Sequence, residues 1–424
     1  MIDSGDTAWV LVSAALVMLM TPGLALFYGG LARSKNVLGT IMHSFMMLGV
    51  ISIQFVIIGY TLAFGEGNDF IGDFSFFALK DVSAFEPASP DGTIPHQAFM
   101  IFQLMFAVIT PALITGAFAE RAKFSTFLVF MVAWSTLVYD PVAHWVWGGG
   151  WIAEMGALDF AGGTVVHVNA GVAALAAALI YGKRHNFGRE PMEPHDITMV
   201  VIGAALLWFG WFGFNAGSAI AANGLAVNAF TVTHVATAAA AVTWVGLSWL
   251  IGGKPSVVGA AAGAVAGLVA ITPAAGDVTP MAALAIGVGA GALCYFAVRL
   301  RYRVGLDDSL DVVGVHGVGG AWGAIAVGLF AVSSVNGNEG LFAGNAEQLV
   351  DQIVAVAATM IYSFVVTVII LKVLDMTMGL RVSEDEEIMG IDVSQHGERA
   401  YMLDGGGPAY AGIPVTPESG GSGS

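Results

Sequence analysis

Apolar runs long enough to cross a lipid bilayer dominate this chain, and they restrict it to one kind of fold. A helix needs about 20 predominantly apolar residues to span the hydrocarbon core. The sequence carries eleven such stretches, at approximately 9–30, 37–64, 97–119, 124–147, 164–181, 197–218, 229–251, 256–272, 280–299, 312–332 and 350–374. They are too long and unbroken for barrel strands, which alternate over about ten residues. In a bilayer, every backbone polar group must be paired internally, which leaves helices. The expected fold is an all-α polytopic membrane protein with eleven transmembrane helices.

Composition excludes the main rivals. Of 424 residues, 57% are hydrophobic and 11% charged, against about a quarter charged in soluble domains. A water-soluble enzyme and a disordered chain are both ruled out. Fifteen basic residues stand against 31 acidic ones, so the basic footprint of a nucleic-acid binder is missing and no nucleic-acid partner is expected. The single cysteine, Cys294, leaves no intrachain disulfide. The glycine run from Gly287 to Gly291 lies inside an apolar span without lysine, so it is not a phosphate loop.

Loop charges set the orientation. Arg33 and Lys35 follow span 1, and Arg121 and Lys123 follow span 3. Lys183, Arg184 and Arg189 follow span 5, Lys254 span 7, and Arg299, Arg301 and Arg303 span 9. Lys372, Arg381 and Arg399 lie at or beyond the end of span 11, and only Lys80 follows an even-numbered span. By the positive-inside rule the N-terminus is outside and the C-terminus inside. One missed span would scramble this alternation, so it supports the count. Only Asp3 and Asp6 precede span 1, and no cleavable signal peptide is expected. The acidic loop 65–96 reads first as a solvated surface, with mild attraction of cations to an outer mouth as the functional alternative.

Spans 1–5 and 6–10 are expected to form an inverted repeat around a narrow pore. Asp159 stands eight residues before His167, and Asp308 eight before His316. Small residues follow each histidine: Asn169, Ala170 and Gly171 in one case, Gly317, Gly319 and Gly320 in the other. The chain then divides into residues 1–181 (first half), 182–332 (second half), 333–375 (span 11) and 376–424 (cytoplasmic regulatory tail). Gly259, Gly263 and Gly267 form a small-residue row that lets helices approach closely. The tail is acidic from Glu384 to Glu387, has a short apolar element at Ile388 and Ile391, and ends in Gly420 to Ser424.

His167 and His316 lie near the middle of apolar spans. Ionisable groups there are costly and mark function. One such histidine reads equally well as a buried structural residue. Two at equivalent places in two halves face each other across a pore, where they suit a proton relay or a polar strip for a small solute. Span-borne haem ligation is the rival chemistry. The glycines beside His316 favour tight packing over a wide pocket, so neither a cofactor nor a metal is expected.

Phe106, Trp147 and Ser218 come from different spans at similar depth. Trp145 and Trp151 read as an interfacial belt. The other three make a cation site, in which each desolvated ring contributes about 0.5–2 kcal/mol. Asp140 lies inside span 4. Asp159 opens span 5 as a cap, a role compatible with electrostatic support for a cation.

At these residues the sequence resembles the ammonium transporter/methylammonium permease/Rhesus family, specifically its prokaryotic ammonium transporters. The resemblance is carried by Asp159 to Gly171 (DFAGGTVVHVNAG), Gly210 to Ser218 (GWFGFNAGS), Gly116 to Arg121 (GAFAER) and Val315 to Gly320 (VHGVGG). It implies an outer ammonium-recruitment site at Phe106, Trp147 and Ser218, above a gate of Phe106 and Phe214. It further implies a pore lined by the twin histidines His167 and His316, with Asp159 in a structural and electrostatic role. Ammonium or ammonia is the implied substrate, with methylammonium as an analogue. The family pattern adds a homotrimer in a prokaryotic inner membrane, in contact with lipid bilayer, and regulation by PII-type proteins on the cytoplasmic face. The tail from Ser383 to Asp392, with His396 to Glu398, resembles the family's regulatory C-terminus. Transport is the expected function and enzymatic activity is not. An ammonium sensor with little flux is the alternative, and a gas or urea channel fits the aromatic cation site poorly.

Overall fold

Polar caps, rather than the ends of apolar runs, fix where several helices begin. The computed structural model describes residues 1–401, so the expected Gly420–Ser424 ending lies outside the described residues. Among the described residues, eleven helices have membrane-spanning length and composition. They are α1 (Ser4–Leu31), α2 (Val37–Phe64), α3 (His96–Ala117), α4 (Phe124–Met155), α5 (Gly163–Tyr181), α6 (Ile197–Gly217), α7 (Gly224–Gly252), α8 (Val257–Ala274), α9 (Pro280–Val304), α10 (Val313–Phe330) and α11 (Ala346–Thr377). No strand longer than an isolated bridge occurs among the described residues.

Helix α1 starts ahead of its apolar run because the Asp3 carboxylate accepts the Asp6 N–H at 2.9 Å. Asn223 caps α7 by accepting from Leu225 and Ala226, and Asn345 caps α11 in the same way. Both helices therefore begin before their apolar cores.

Glycines set the helix contacts. A Cβ on Gly203 of α6 would lie 2.3 Å from the Phe27 backbone nitrogen of α1. The row Gly259, Gly263 and Gly267 packs on Trp244 and Ala240 of α7, the close approach that the spacing predicts. Large apolar side chains such as Ile53, Val242, Leu250 and Ile361 point outward. That surface suits lipid.

Four helices contain a π turn, at Phe55–Gly59 in α2, Ser135–Tyr139 in α4, Gly163–Val168 in α5 and Val313–Gly317 in α10. Single π turns inside α-helices concentrate at functional sites. The last two hold His167 and His316.

The tail folds into α12 (Glu384–Met389) and α13 (Ile391–His396), with a Ser383–Glu386 capping box. It docks on the start of α2. Asp392 accepts the Gly39 N–H at 2.8 Å, Asn36 accepts the Ile391 N–H at 2.9 Å, and the Lys35 ammonium donates to the Glu387 and Ile388 carbonyls. Of the expected apolar pair only Ile391 packs, fully buried against Gly39, whereas Ile388 is exposed. Beside the tail, Glu120 pairs with Arg33 at 2.6 Å and Arg184 at 3.3 Å, and Arg184 reaches Asp307 at 2.8 Å. This end of the bundle is called the tail face below, and the end carrying loop 65–95 the loop face.

Candidate functional site

A cavity of about 310 Å³ opens at the loop face, with Phe106, Trp147 and Ser218 in its wall beside Phe99, Gln103 and Phe160. Helix α3 supplies Phe106, the last turns of α4 supply Trp147, and Ser218 caps the C-terminus of α6. The Phe106 and Trp147 rings meet edge to face, with centroids 5.8 Å apart and planes at 88°. The indole N–H of Trp147 donates to the Asp159 carbonyl at 2.9 Å, which fixes the ring. The Ser218 hydroxyl donates to the Phe214 carbonyl at 2.8 Å, leaving its lone pairs free to accept.

Toward the tail face the cavity closes on two rings. Phe106 and Phe214 lie 4.2 Å apart between centroids, tilted by 35°, and both are buried. His167 follows, 6.0 Å from Phe214 and 5.3 Å from Trp211, near parallel to both. The Nδ1 atoms of His167 and His316 are 3.3 Å apart. His316 borders a second, smaller cavity of about 30 Å³ with Tyr28, Leu31 and Val265. That volume is on the order of a single water site.

The imidazole contact has a definite protonation logic. Two neutral rings sharing one Nδ1–H···Nδ1 bond must be opposite tautomers. One then presents a bare Nε2 acceptor and the other an Nε2–H donor. The Nε2 atom of His167 has no hydrogen-bond partner among the described residues.

Local sequence explains why the rings meet. The Asp159 carboxylate accepts four backbone N–H groups, from Gly162, Gly163, Thr164 and Val165, at 2.6 to 3.1 Å. It thereby caps the start of α5. Asp308 accepts the Val313 N–H at 2.8 Å at the start of α10. Helices α5 and α10 cross where Gly171 meets Gly317, and a Cβ on Gly171 would lie 2.2 Å from the Gly317 nitrogen. A Cβ on Gly320 would lie 2.9 Å from that of His167. The small residues behind each histidine thus serve the contact between them.

Three features escaped the sequence reading of roles. Gln103 lines the loop-face cavity with a carbonyl oxygen that has no hydrogen-bond partner among the described residues. Trp211 stacks on His167 and donates to Thr272 at 2.8 Å. Tyr28 lines the inner cavity and donates to the Leu113 carbonyl at 2.9 Å. Trp211 lay inside a recognised motif, whereas Gln103 and Tyr28 carried no sequence signal.

Eleven membrane-length helices among the described residues, holding two cavities with aromatic rings and paired histidines between them, define a class: a multi-pass helical membrane protein. The chain belongs to the ammonium transporter family, for the Ammonium Transporter Family profile matches residues 8–401. It is similar to an ammonium transporter of Bacillus subtilis, 53% identical over 401 residues, covering 94% of this chain and 98% of the relative. Among solved structures it is similar to Candida albicans Mep2, with 40% identity and a TM-score of 0.85 over 91% of this chain and 88% of that one. It is also similar to a protein named Sensor Amt Protein, with 30% identity and a TM-score of 0.86, covering 92% of this chain and 98% of the other.

Proposed function

We propose that this protein recruits ammonium at Phe106, Trp147 and Ser218 and passes ammonia along His167 and His316, with or without a separately moved proton. The observation that carries this reading is the unbroken order of cavity, ring pair, histidine pair and inner cavity. The loop face is then the outer face, and spans 1–5 and 6–10 form the two inverted halves. Two ring faces and a hydroxyl lone pair hold a small cation without the tight grip of a carboxylate. Ring contact between Phe106 and Phe214 bars a hydrated ion. Moving a bare ion past these buried rings costs several kcal/mol. Ammonium escapes that cost by shedding a proton, which returns to water at the loop face or follows a separate route; potassium has no proton to shed. Neutral ammonia then finds a donor and an acceptor on the two imidazoles.

The same reading places the protein in a prokaryotic cell membrane as a homotrimer with one pore per subunit. Methylammonium is a second substrate, and a PII-type protein is the partner at the cytoplasmic face. Trp147→Leu and His167→Ala test the site: each alters uptake or selectivity in protein that still folds and assembles. Unchanged uptake and selectivity in both would overturn it. A second reading, an ammonium sensor with little flux, draws on the likeness to Sensor Amt Protein. Ammonium binding by purified protein, with no flux above that of protein-free liposomes, would favour the sensor.

A further inference from the structure

A carboxyl group lies buried within the bundle, and the pathway above does not use it. Asp140 of α4 is fully buried. It takes part in no ion pair among the described residues. Its one side-chain partner among the described residues is the Gln54 amide of α2, whose Nε2 donates to Asp140 Oδ2 at 2.8 Å and to Thr136 Oγ1 at 3.1 Å. Two buried oxygens of this pair remain without a hydrogen-bond partner among the described residues, Oδ1 of Asp140 and Oε1 of Gln54. Both are acceptors, so an ionised carboxylate leaves both orphaned and a net charge uncompensated.

A single proton resolves all three problems. A carboxylic acid and a primary amide are complementary: the amide N–H donates to one acid oxygen while the acid O–H donates to the amide oxygen. We propose that Asp140 is a positioning residue, held in the membrane as a neutral carboxylic acid paired face to face with the Gln54 amide. Gln54 immediately precedes the π turn of α2, and Asp140 immediately follows the π turn of α4. The pair therefore pins together the two places where these helices depart from regular geometry. Beyond Asp140, α4 runs on for about two turns to Trp147. The peg thus sets where that part of α4 stands against α2. It is independent of how the pore carries its solute.

The test is infrared spectroscopy on the full-length protein in liposomes, comparing wild type with Asp140→Asn and Gln54→Leu. The difference spectrum of wild type against Asp140→Asn is expected to contain the carbonyl stretch of a protonated carboxylic acid. That band is expected to move to higher frequency in Gln54→Leu, where the acid loses its partner. Asparagine preserves a donor and an acceptor, so Asp140→Asn keeps the wild-type unfolding temperature, whereas Asp140→Leu lowers it by several degrees. Carboxylate bands in place of the acid band would overturn the proposal. So would an acid band that ignores Gln54→Leu, or an Asp140→Asn variant as unstable as Asp140→Leu.

Discussion

Gly171 of α5 rests directly on Gly317 of α10, so closely that a methyl group on Gly171 would lie 2.2 Å from the Gly317 nitrogen. That crossing brings the Nδ1 atoms of His167 and His316 to 3.3 Å. The clash would be with backbone, which cannot rotate away. Gly171→Ala is therefore expected to force the helices apart, at a cost of about 1–3 kcal/mol. Thermal unfolding in detergent reads the loss, and ammonium uptake falls with it as the imidazoles separate.

The Asp159 carboxylate holds four N–H groups at the start of α5. Asp159→Ala orphans all of them. Loss of one cap costs about 0.5–2 kcal/mol, and this cap serves more donors than most. The variant is expected to lower folded yield and unfolding temperature sharply. Asp159→Asn keeps an acceptor oxygen and is expected to fall between alanine and wild type in the same assay.

Trp147 contributes a ring to the loop-face cavity. If that ring binds a cation, Trp147→Leu removes about 0.5–2 kcal/mol of attraction. By the usual conversion this raises the half-saturating ammonium concentration roughly 2- to 30-fold. Concentration-dependent uptake in liposomes measures it. On the proposed reading the ring pair of Phe106 and Phe214 is the barrier to potassium, so potassium is expected to stay excluded in this variant.

Burial pushes the Glu120 carboxyl up, but Arg184 and Arg33 outweigh it and hold the group below its usual range. A carboxylate with a lowered folded pKa binds its proton more weakly in the native state than in the unfolded one. Its contribution is complete above the unfolded value of about 4.3 and disappears as pH falls through the lower folded value. Glu120→Gln is expected to destabilise the tail face at neutral pH and to flatten the acid limb of stability. Unfolding temperature measured from neutral pH down to acid, in both proteins, checks the difference.

Much of the architecture is legible in residue order, because the bilayer imposes length and polarity rules on every span. Apolar runs marked all eleven helices. His167 and His316 stood out because a polar side chain interrupts each run. Helix starts were less legible: Asn223 and Asn345 extend α7 and α11 beyond their apolar cores by capping, which hydrophobicity does not register. The π turns were invisible, since an i→i+5 bond leaves no spacing signature. Asp140 stands out in the sequence as a charge in a span, but its partner Gln54 lies on another helix, and nothing in sequence order joins them. Gln103 was missed for a similar reason: its unpaired carbonyl acquires meaning only from the cavity wall around it.

On the proposed reading, ammonium is selected and passed along the line from Trp147 to His316. The most direct test follows ammonium and potassium pulses on liposomes containing purified protein, reading charge movement and internal pH in the same preparation. Wild type is expected to respond to ammonium above protein-free liposomes in at least one readout and to potassium in neither. His167→Ala and His316→Ala are expected to lose the ammonium response or to admit potassium. Variants indistinguishable from wild type in both readouts would contradict the account.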